Sequence, residues 1–138
     1  MDRLEEITAL ELKVKPIGYI TSPSGTTGDA PKMGSESSVV GELIIDERYK
    51  DAILGLAPGQ KIVILYWMSL AERDILQVHP RRDYSRPIRG VFSTRSPQRP
   101  NPIALDTVEI LDIDGMVMKV RGIDAIDGTP LLDIKCVA

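Results

Sequence analysis

Short apolar segments, repeatedly interrupted by glycine and proline, run the length of this chain, and they restrict its fold more than any other feature. The 138 residues include 11 glycines and 10 prolines, and both residue types are unfavourable inside helices and central strands. The pattern predicts short strands joined by turns, with Asp114-Gly115 as the clearest hairpin signal. The predicted strands are Val14–Ile20, Val39–Ile45, Ile62–Trp67, Gly90–Ser93, Asp106–Ile113, Met116–Arg121 and Leu131–Lys135.

Helical patterns are rare in the sequence. Asp46 is a favourable N-cap for one short helix that runs through Leu54, and Gly55 is a suitable stop. Helices do not alternate with strands along the chain, which disfavours a Rossmann-type parallel sheet. We expect a mainly β, non-Rossmann fold of about seven short strands with one or two short helices, arranged as a β-barrel or a sandwich.

The chain length matches one domain of ordinary size. We expect residues 1–14 to form an N-terminal extension and no C-terminal accessory domain to follow. The longest apolar run, Ile62–Leu70, is too short to span a membrane, and acidic residues near the start argue against a secretory signal. The expected location is the cytoplasm, without membrane contact.

The residue counts restrict metal and disulfide chemistry. The chain has one cysteine, Cys136, and one histidine, His79. An internal disulfide and a cysteine-based metal cluster are therefore impossible, and the sequence has no histidine pair for zinc. The sequence predicts no bound metal.

Positive charge is concentrated in one stretch of an otherwise acidic chain. The net charge is −3, yet residues 81–99 hold six arginines and a single acid, Asp83. Such a stretch is typical of a confined site for phosphate, carboxylate or RNA. A solvated loop whose arginines pair with nearby acids explains the charge equally well.

The arginine-rich stretch leads into a loop that proline stiffens. Gly90–Ile103 contains three prolines within six residues, and proline fixes φ and has no N–H group. Arg95 and Arg99 within it have the planar fork that holds a carboxylate or a phosphate. A purely structural turn, in which Asn101 caps backbone groups, is the alternative.

A second polar turn lies near the C-terminal end of the sequence. Asp127-Gly128-Thr129-Pro130 has the composition of a turn between strands. Its backbone amides and the Asp127 carboxylate suit an amine, a ribose or an adenine edge. A tight turn with no further role is the simpler interpretation of these four residues.

Several motifs taken together resemble one protein family. Pro16–Pro23, Gly90–Ile103 and Asp127–Pro130 running into Asp133–Lys135 occur in the order and spacing of the TrmO/TsaA-like family. The resemblance extends from about Lys15 onward, and Gly90–Ile103 is its most specific part.

The resemblance implies a single-domain β-barrel that binds S-adenosylmethionine without a Rossmann sheet and acts as a homodimer, with the cofactor near the subunit interface. The best-known activity of the family is methylation of N6 in N6-threonylcarbamoyladenosine, just 3′ of the anticodon of tRNA. By the same resemblance, four segments of this chain are expected to contact the cofactor. Their residues are Met33, Gly34, Ser35, Ser69, Leu70, Arg95, Leu105, Asp127, Gly128, Thr129, Pro130 and Leu131.

The expected acceptor nitrogen must lose a proton during methylation, so a general base is expected. Asp127 and Asp133 are the candidates, and both also suit a structural role. Arg95 and Arg99 are expected to orient the threonyl carboxylate or nearby phosphates. The residues expected to contact RNA are Arg81, Arg82, Arg86, Arg89, Arg99 and Asn101.

The sequence departs from the family pattern in two places. Many relatives have a histidine where Ser69 aligns, and many continue after Lys135 with Pro-Tyr and a C-terminal domain. These departures affect the expected substrate more than the expected cofactor. Two other functions stay open: a non-catalytic module that binds S-adenosylmethionine or a nucleotide, and a methyltransferase for another small acceptor.

Overall fold

The computed structural model describes residues 2–23 and 38–137, and strands dominate them. One α-helix, α1 (Arg3–Thr8), precedes the strands, and 3-10 turns cover Glu47–Ile53, Pro80–Arg82 and Val91–Ser93. The strands are β1 (Gly18–Thr21), β2 (Val40–Ile45), β3 (Lys61–Trp67), β4 (Gln77–Val78), β5 (Arg89–Gly90), β6 (Ile103–Asp114), β7 (Val117–Arg121) and β8 (Thr129–Cys136). No helix in these ranges is both long and apolar enough to cross a membrane.

Six of the strands close into an antiparallel barrel. The order around the barrel is β1, β2, β7, β6, β3 and β8, and β8 pairs with β1 to complete the circle. β4 and β5 form a separate two-stranded sheet. The mainly β, non-Rossmann barrel is therefore confirmed. The predicted hairpin is confirmed as well, since β6 turns into β7 after Asp114 and Gly115 adopts a φ of +61°.

Aliphatic side chains from alternate strand positions fill the barrel. Ile62, Ile64 and Tyr66 of β3 are buried, and the residues between them are less so. The same alternation in β6 buries Val108 and Ile110. Burying an aliphatic side chain of this size contributes roughly 1.5–3 kcal/mol. The barrel core is thus the main source of stability, and the connections at its ends are available to build a site.

Several strands begin or end together at one end of the barrel. Trp67 at the end of β3 lies opposite Ile103 at the start of β6, and Ile20 of β1 lies opposite Thr129 at the start of β8. β8 has a bulge nearby. Leu65 and Tyr66 of β3 pair with residues 133 and 131, so residue 132 has no partner in this register, and a bulge of this kind bends a strand. The connecting segments therefore gather at this end.

The predicted strand Gly90–Ser93 is wrong. Only Arg89–Gly90 is extended, and Val91–Ser93 forms a 3-10 turn. The Ser93 hydroxyl donates to the Gly90 carbonyl at 2.8 Å, and the Thr94 hydroxyl donates to the Val91 carbonyl at 2.8 Å. Short polar side chains that bond nearby backbone groups in this way compete with strand pairing.

Other elements also differ from the prediction in extent or type. The first strand begins at Gly18 rather than Val14, since Pro16 has no N–H for the ladder. The predicted helix after Asp46 is the 3-10 turn Glu47–Ile53, and the Asp46 carboxylate caps it by accepting from the Arg48 N–H at 3.0 Å. The helix α1 was not predicted; its N-cap is Asp2, whose carboxylate accepts from the Glu5 N–H at 2.8 Å.

Because β2 lies close to β1 at Gly41, we expect a single added methyl group there to destabilise the protein. A Cβ at this buried position would overlap the backbone oxygen of Thr21 and lie 2.7 Å from a methyl carbon of Ile123. We expect Gly41→Ala to lower the free energy of unfolding by about 1–3 kcal/mol, the usual range for overpacking. Gly90→Ala is the matched control because its nearest neighbour would be 4.0 Å away, and its effect should stay within about 0.5 kcal/mol. Urea unfolding measures both values, and equal losses would contradict the packing argument.

Candidate functional site

A cleft of about 380 Å³ opens at the barrel end where the connections gather. We call it the barrel-end cleft. One wall is the segment that follows β3, and the other is the stretch that leads into β8. The proline-braced loop, residues 90–103, contributes Pro97 and Gln98. It is lined by Tyr66, Met68, Ser69, Leu70, Ala71, Arg82, Pro97, Gln98, Asp124, Ala125, Ile126, Asp127, Gly128, Thr129 and Pro130.

The turn at Asp127-Gly128 forms part of the second wall. The Thr129 N–H and hydroxyl both donate to the Ile126 carbonyl, at 3.2 Å and 2.6 Å. Gly128 occupies the third position of this turn with a φ of +84°, a left-handed value that favours glycine. Two bonds then fix the turn to the end of β1: the Gly128 N–H donates to the Ile20 carbonyl, and the Ser22 N–H donates to the Asp127 carboxylate at 2.9 Å.

A buried carboxylate holds the stretch before that turn. Asp106 is 3% exposed, and its Oδ2 accepts from the Tyr66 hydroxyl and from the Asp124 N–H, both at 3.0 Å. Burial raises the pKa of Asp106, while the two hydrogen bonds and the charge of Arg95 oppose that rise. Burial and the negative charges of Asp106 and Asp124 raise the pKa of Tyr66. The phenol therefore stays protonated and serves as a donor within the wall of the cleft.

Arg73 ties the proline-braced loop to the segment after β3. Its Nε donates to the Pro100 carbonyl at 2.6 Å, and its NH2 group donates to Oδ1 of Asn101 at 2.9 Å. The guanidinium lies 5.5 Å from the centre of the Trp67 ring, within the range of a cation–π contact. The Met68 N–H adds a bond to the Pro102 carbonyl at 2.8 Å. Trp67 lies partly exposed beside the guanidinium of Arg73.

A larger cleft of about 880 Å³ adjoins the first. We call it the arginine cleft, and it shares Arg82, Pro97 and Gln98 with the barrel-end cleft. Arg81 and Arg82 both have positive φ values, 55° and 57°, which are uncommon for residues with a Cβ. The described residues that line it are Ile75, Gln77, Val78, His79, Pro80, Arg81, Arg82, Tyr84, Ile88, Arg89, Phe92, Ser93, Thr94, Arg95, Ser96, Pro97 and Gln98.

The structure brings half of the predicted cofactor residues into one place. The six that line the barrel-end cleft are Ser69, Leu70, Asp127, Gly128, Thr129 and Pro130. Leu131 is fully buried in the core beneath them. Arg95 lines the arginine cleft and donates to the Leu105 carbonyl at 3.4 Å, while the Leu105 side chain points outward from β6. The predicted contacts at Met33, Gly34 and Ser35 lie outside the described residues.

The residues predicted to contact RNA divide into two groups. Arg81, Arg82 and Arg89 line the arginine cleft. Arg86 instead pairs with the Asp83 carboxylate at 3.1 Å, and Asn101 accepts from Arg73 as described above.

Arg99 turns inward to the loop that carries it. Its guanidinium donates to the Val91 carbonyl at 2.8 Å and, over longer distances, to the Thr94 carbonyl. Asp133, the second candidate base, pairs with Lys135 at 3.3 Å and accepts from the Ile134 N–H at 2.9 Å. It is not among the lining residues of either cleft.

Asp106, Tyr66 and Asp124 were not predicted from the sequence as parts of the site. One signal was available: Asp106 is in phase with Val108 and Ile110, the inward positions of β6. An acid in an apolar alternation needs hydrogen-bond partners when it is buried. Among the described residues, no group of three or more His, Cys, Asp or Glu side chains could hold a metal ion.

The chain is similar in sequence to proteins named as S-adenosyl-L-methionine-binding and in structure to TrmO. Residues 19–138 match a family described as the tRNA-methyltransferase O N-terminal domain. A "probable S-adenosyl-L-methionine-binding protein" of Methanothermobacter thermautotrophicus is 48% identical over 126 residues, which cover 91% of this chain and 90% of that protein. An "S-adenosyl-L-methionine-binding protein" of Archaeoglobus fulgidus is 47% identical over 122 residues, 88% of this chain and 86% of the relative.

Solved structures agree with these sequence matches. A crystal structure of TrmO from Pseudomonas aeruginosa superimposes with a TM-score of 0.74 at 26% identity and covers 94% of this chain. A second TrmO crystal structure gives a TM-score of 0.73 at 28% identity, also over 94% of this chain. The chain spans 57% and 56% of the lengths of these two structures.

The buried carboxylate predicts how stability depends on pH. The pKa of Asp106 is raised above its ordinary value of 3.8, so the folded state holds this proton more tightly than the unfolded chain. Stability that comes from the protonated form is present below pH 3.8 and is lost as the pH rises to the folded-state pKa. An asparagine in its place can keep both hydrogen bonds through the amide oxygen, so Asp106→Asn should not show this loss.

We therefore expect the free energy of unfolding of the wild type to fall relative to that of Asp106→Asn as the pH rises above 3.8. Urea unfolding of both proteins across the pH range measures the difference. Asp112→Asn, at an exposed position of β6, is the matched control and should follow the wild type. A wild type that gains stability over Asp106→Asn with rising pH would contradict the assignment.

Proposed function

Because this chain belongs to the family of tRNA-methyltransferase O N-terminal domains, we propose that it uses S-adenosylmethionine to methylate N6 of N6-threonylcarbamoyladenosine beside the anticodon of tRNA. The observation that supports this most strongly is the barrel-end cleft, where six residues expected to contact the cofactor line one cavity. The names of the relatives support the cofactor, and the family supports tRNA as the acceptor.

The chemistry of the barrel-end cleft suits S-adenosylmethionine. Its volume of about 380 Å³ falls within the range typical of small-molecule sites, about 300–1,000 Å³. Asp124 and Asp127 place carboxylates at its wall, which favour a ligand with a sulfonium and an ammonium group. Met68, Leu70 and Ile126 add apolar surface against which an adenine ring can pack.

The residues of this chain act by positioning and by accepting a proton. S-adenosylmethionine supplies an activated methyl group on its sulfonium. The fixed turn at Asp127-Gly128 orients the cofactor, and positioning of this kind lowers the barrier substantially. We propose Asp127 rather than Asp133 as the general base, because Asp127 lines the cleft and Asp133 is paired with Lys135 outside it.

The outer surface of the barrel supports a homodimer. On neighbouring strands, Leu65 lies beside Leu105 and Trp67 lies beside Ile103. Ile103 and Leu105 are exposed and form an apolar face on β6. An exposed apolar face of this kind is typical of a subunit contact. We propose that a second copy of the chain covers it, which would bring the partner close to Arg95 through the bond of that residue to Leu105.

The proposed activity predicts methyl transfer from labelled S-adenosylmethionine to unmethylated tRNA, with label in N6-methyl-N6-threonylcarbamoyladenosine after nucleoside analysis. Asp127→Asn should lower kcat by about 10²–10⁴-fold, since general bases contribute by that factor. Asn can still accept from the Ser22 N–H, so the turn is expected to survive the change. Asp133→Asn is the matched control and should retain kcat.

Other results of the same experiment separate the alternatives. Cofactor binding without transfer to any tRNA pool would establish a binding module, and transfer only to extracted small molecules would establish a different acceptor. Loss of kcat in Asp133→Asn alone would reverse the assignment of the base. Light scattering of the same samples tests the homodimer, for which two chains per particle are expected.

The carboxylates of the cleft also predict selectivity for charge. Replacing Asp124 by Asn should weaken S-adenosylmethionine binding roughly tenfold, about 1.4 kcal/mol, as expected for a bond to a charged group. S-adenosylhomocysteine should lose less affinity because its sulfur is neutral. Asp112→Asn, which removes an exposed acid distant in register from the cleft, should leave both affinities unchanged. Calorimetry measures all six dissociation constants, and equal affinities in the wild type and Asp124→Asn would contradict the proposed ligand contact.

A further inference from the structure

Two exposed aromatic side chains lie on the arginine cleft. Phe92 is 82% exposed and Tyr84 is 76% exposed, and both line this one cavity. Single exposed apolar residues are ordinary on protein surfaces. Two aromatic rings on one concave surface instead indicate a binding function.

The charged residues that line this cleft with the rings are all arginines. Arg81, Arg82, Arg89 and Arg95 line the cleft together with the rings, and none of its described lining residues is acidic. A positive groove with aromatic rings is the arrangement that binds single-stranded nucleic acid, because phosphates meet the cations and bases stack on the rings. The charge therefore favours RNA over an apolar peptide as the occupant.

The backbone holds Phe92 in place rather than leaving it on a mobile tip. Its neighbour Val91 is 2% exposed and anchors the turn in the protein. The Val91 N–H donates to the Leu76 carbonyl at 2.9 Å, and the Val91 carbonyl accepts from the Thr94 N–H at 3.1 Å and from Arg99 at 2.8 Å. A ring presented from a fixed backbone loses little entropy when a base stacks on it.

The arginine cleft, which carries the two rings, lies next to the cleft that is proposed to hold the cofactor. The two clefts share Arg82, Pro97 and Gln98 as a common wall. A nucleotide bound in the arginine cleft would therefore lie beside the barrel-end cleft, across these shared side chains. We expect the neighbouring nucleotide of an unstacked RNA loop to extend toward the cofactor.

We propose that Phe92 and Tyr84 form a stacking surface for an unpaired base of the acceptor RNA, and that the arginines of the cleft hold the flanking phosphates. This inference rests on the proposed function, since it identifies where the RNA loop docks beside the methyl donor. Phe92 is a positioning residue in this scheme. It acts on RNA affinity and leaves the cofactor site unchanged.

The test measures binding of a fluorescein-labelled anticodon stem-loop RNA to the full chain by anisotropy. Phe92→Ala should weaken binding by about 5- to 100-fold, the range for loss of one stacked base, and Phe92→Trp should retain it. Leu54→Ala is the matched control because Leu54 is 92% exposed and lies outside both clefts, so its affinity should equal that of the wild type.

Salt dependence separates stacking from charge. Arg89→Ala should reduce the slope of log Kd against log salt by about 0.7, the value for one phosphate contact on a single strand. Phe92→Ala should leave that slope unchanged. An unchanged Kd in Phe92→Ala would overturn the inference. A changed particle mass of the Phe92→Ala protein in light scattering would also overturn it, because Phe92 would then be a subunit contact.

Methyl transfer distinguishes failure of this inference from failure of the proposed function. If the wild type methylates tRNA and Phe92→Ala has the same KM for tRNA, the stacking surface is wrong and the enzyme assignment stands. If the wild type binds the cofactor but neither binds nor methylates RNA, the proposed acceptor is wrong and the stacking surface is overturned with it. A raised KM for tRNA with an unchanged Kd for S-adenosylmethionine supports both.

Discussion

A single carboxylate oxygen joins three parts of the chain that are distant in sequence. Oδ2 of Asp106 on β6 accepts from the Tyr66 hydroxyl on β3 and from the Asp124 N–H before β8. This contact matters because β6 pairs with β7 only from Glu109 onward, so no ladder bond from β7 supports the wall at this level. Each buried donor left without its acceptor costs about 1–3 kcal/mol. The bonds to Asp106 therefore help to position the wall of the barrel-end cleft that carries Asp124 and Asp127, together with the bonds of the Asp127-Gly128 turn to β1.

The arginines of residues 73–99 serve two purposes that charge alone does not separate. Arg73 bonds a carbonyl of the proline-braced loop from the segment after β3, and Arg99 bonds carbonyls within that loop. Arg89 and Arg95 belong instead to the cleft beside that loop. Arginine suits the first purpose because its several N–H donors satisfy more than one carbonyl from a single planar group. The loop is thus a rigid support that presents other side chains to a ligand.

The fold was predictable to the extent that it depends on local patterns. Alternation of Ile62, Ile64 and Tyr66 marks a strand, and Asp114-Gly115 marks a hairpin, because both signals are contained in a few consecutive residues. The prediction of a strand at Gly90–Ser93 was wrong for a related reason. Side-chain bonds to the backbone favour a tight turn there, and a hydropathy pattern does not show such bonds. The two hydrogen-bond partners of Asp106 lie 40 and 18 positions away from it in the sequence. Such residues come together only when the barrel closes, so a local pattern does not predict the contact.

The candidate site shows the same limit. The family resemblance predicted that Ser69 and Asp127 contact the same cofactor, and both line the barrel-end cleft. It did not identify Asp106, which touches the cleft only through Tyr66 and Asp124. Residues that hold others in place have no surface signature of their own. They become visible only when hydrogen bonds are traced through the packed structure.

We propose that the barrel-end cleft holds the cofactor between the segment after β3 and the turn before β8. A crystal structure of this protein with S-adenosylmethionine is the decisive experiment. We expect cofactor density between Met68–Ala71 and Asp124–Pro130, with the sulfonium on the side of the cleft that faces the arginine cleft. Ordered cofactor that contacts neither segment, in the chain or across a dimer, would contradict it.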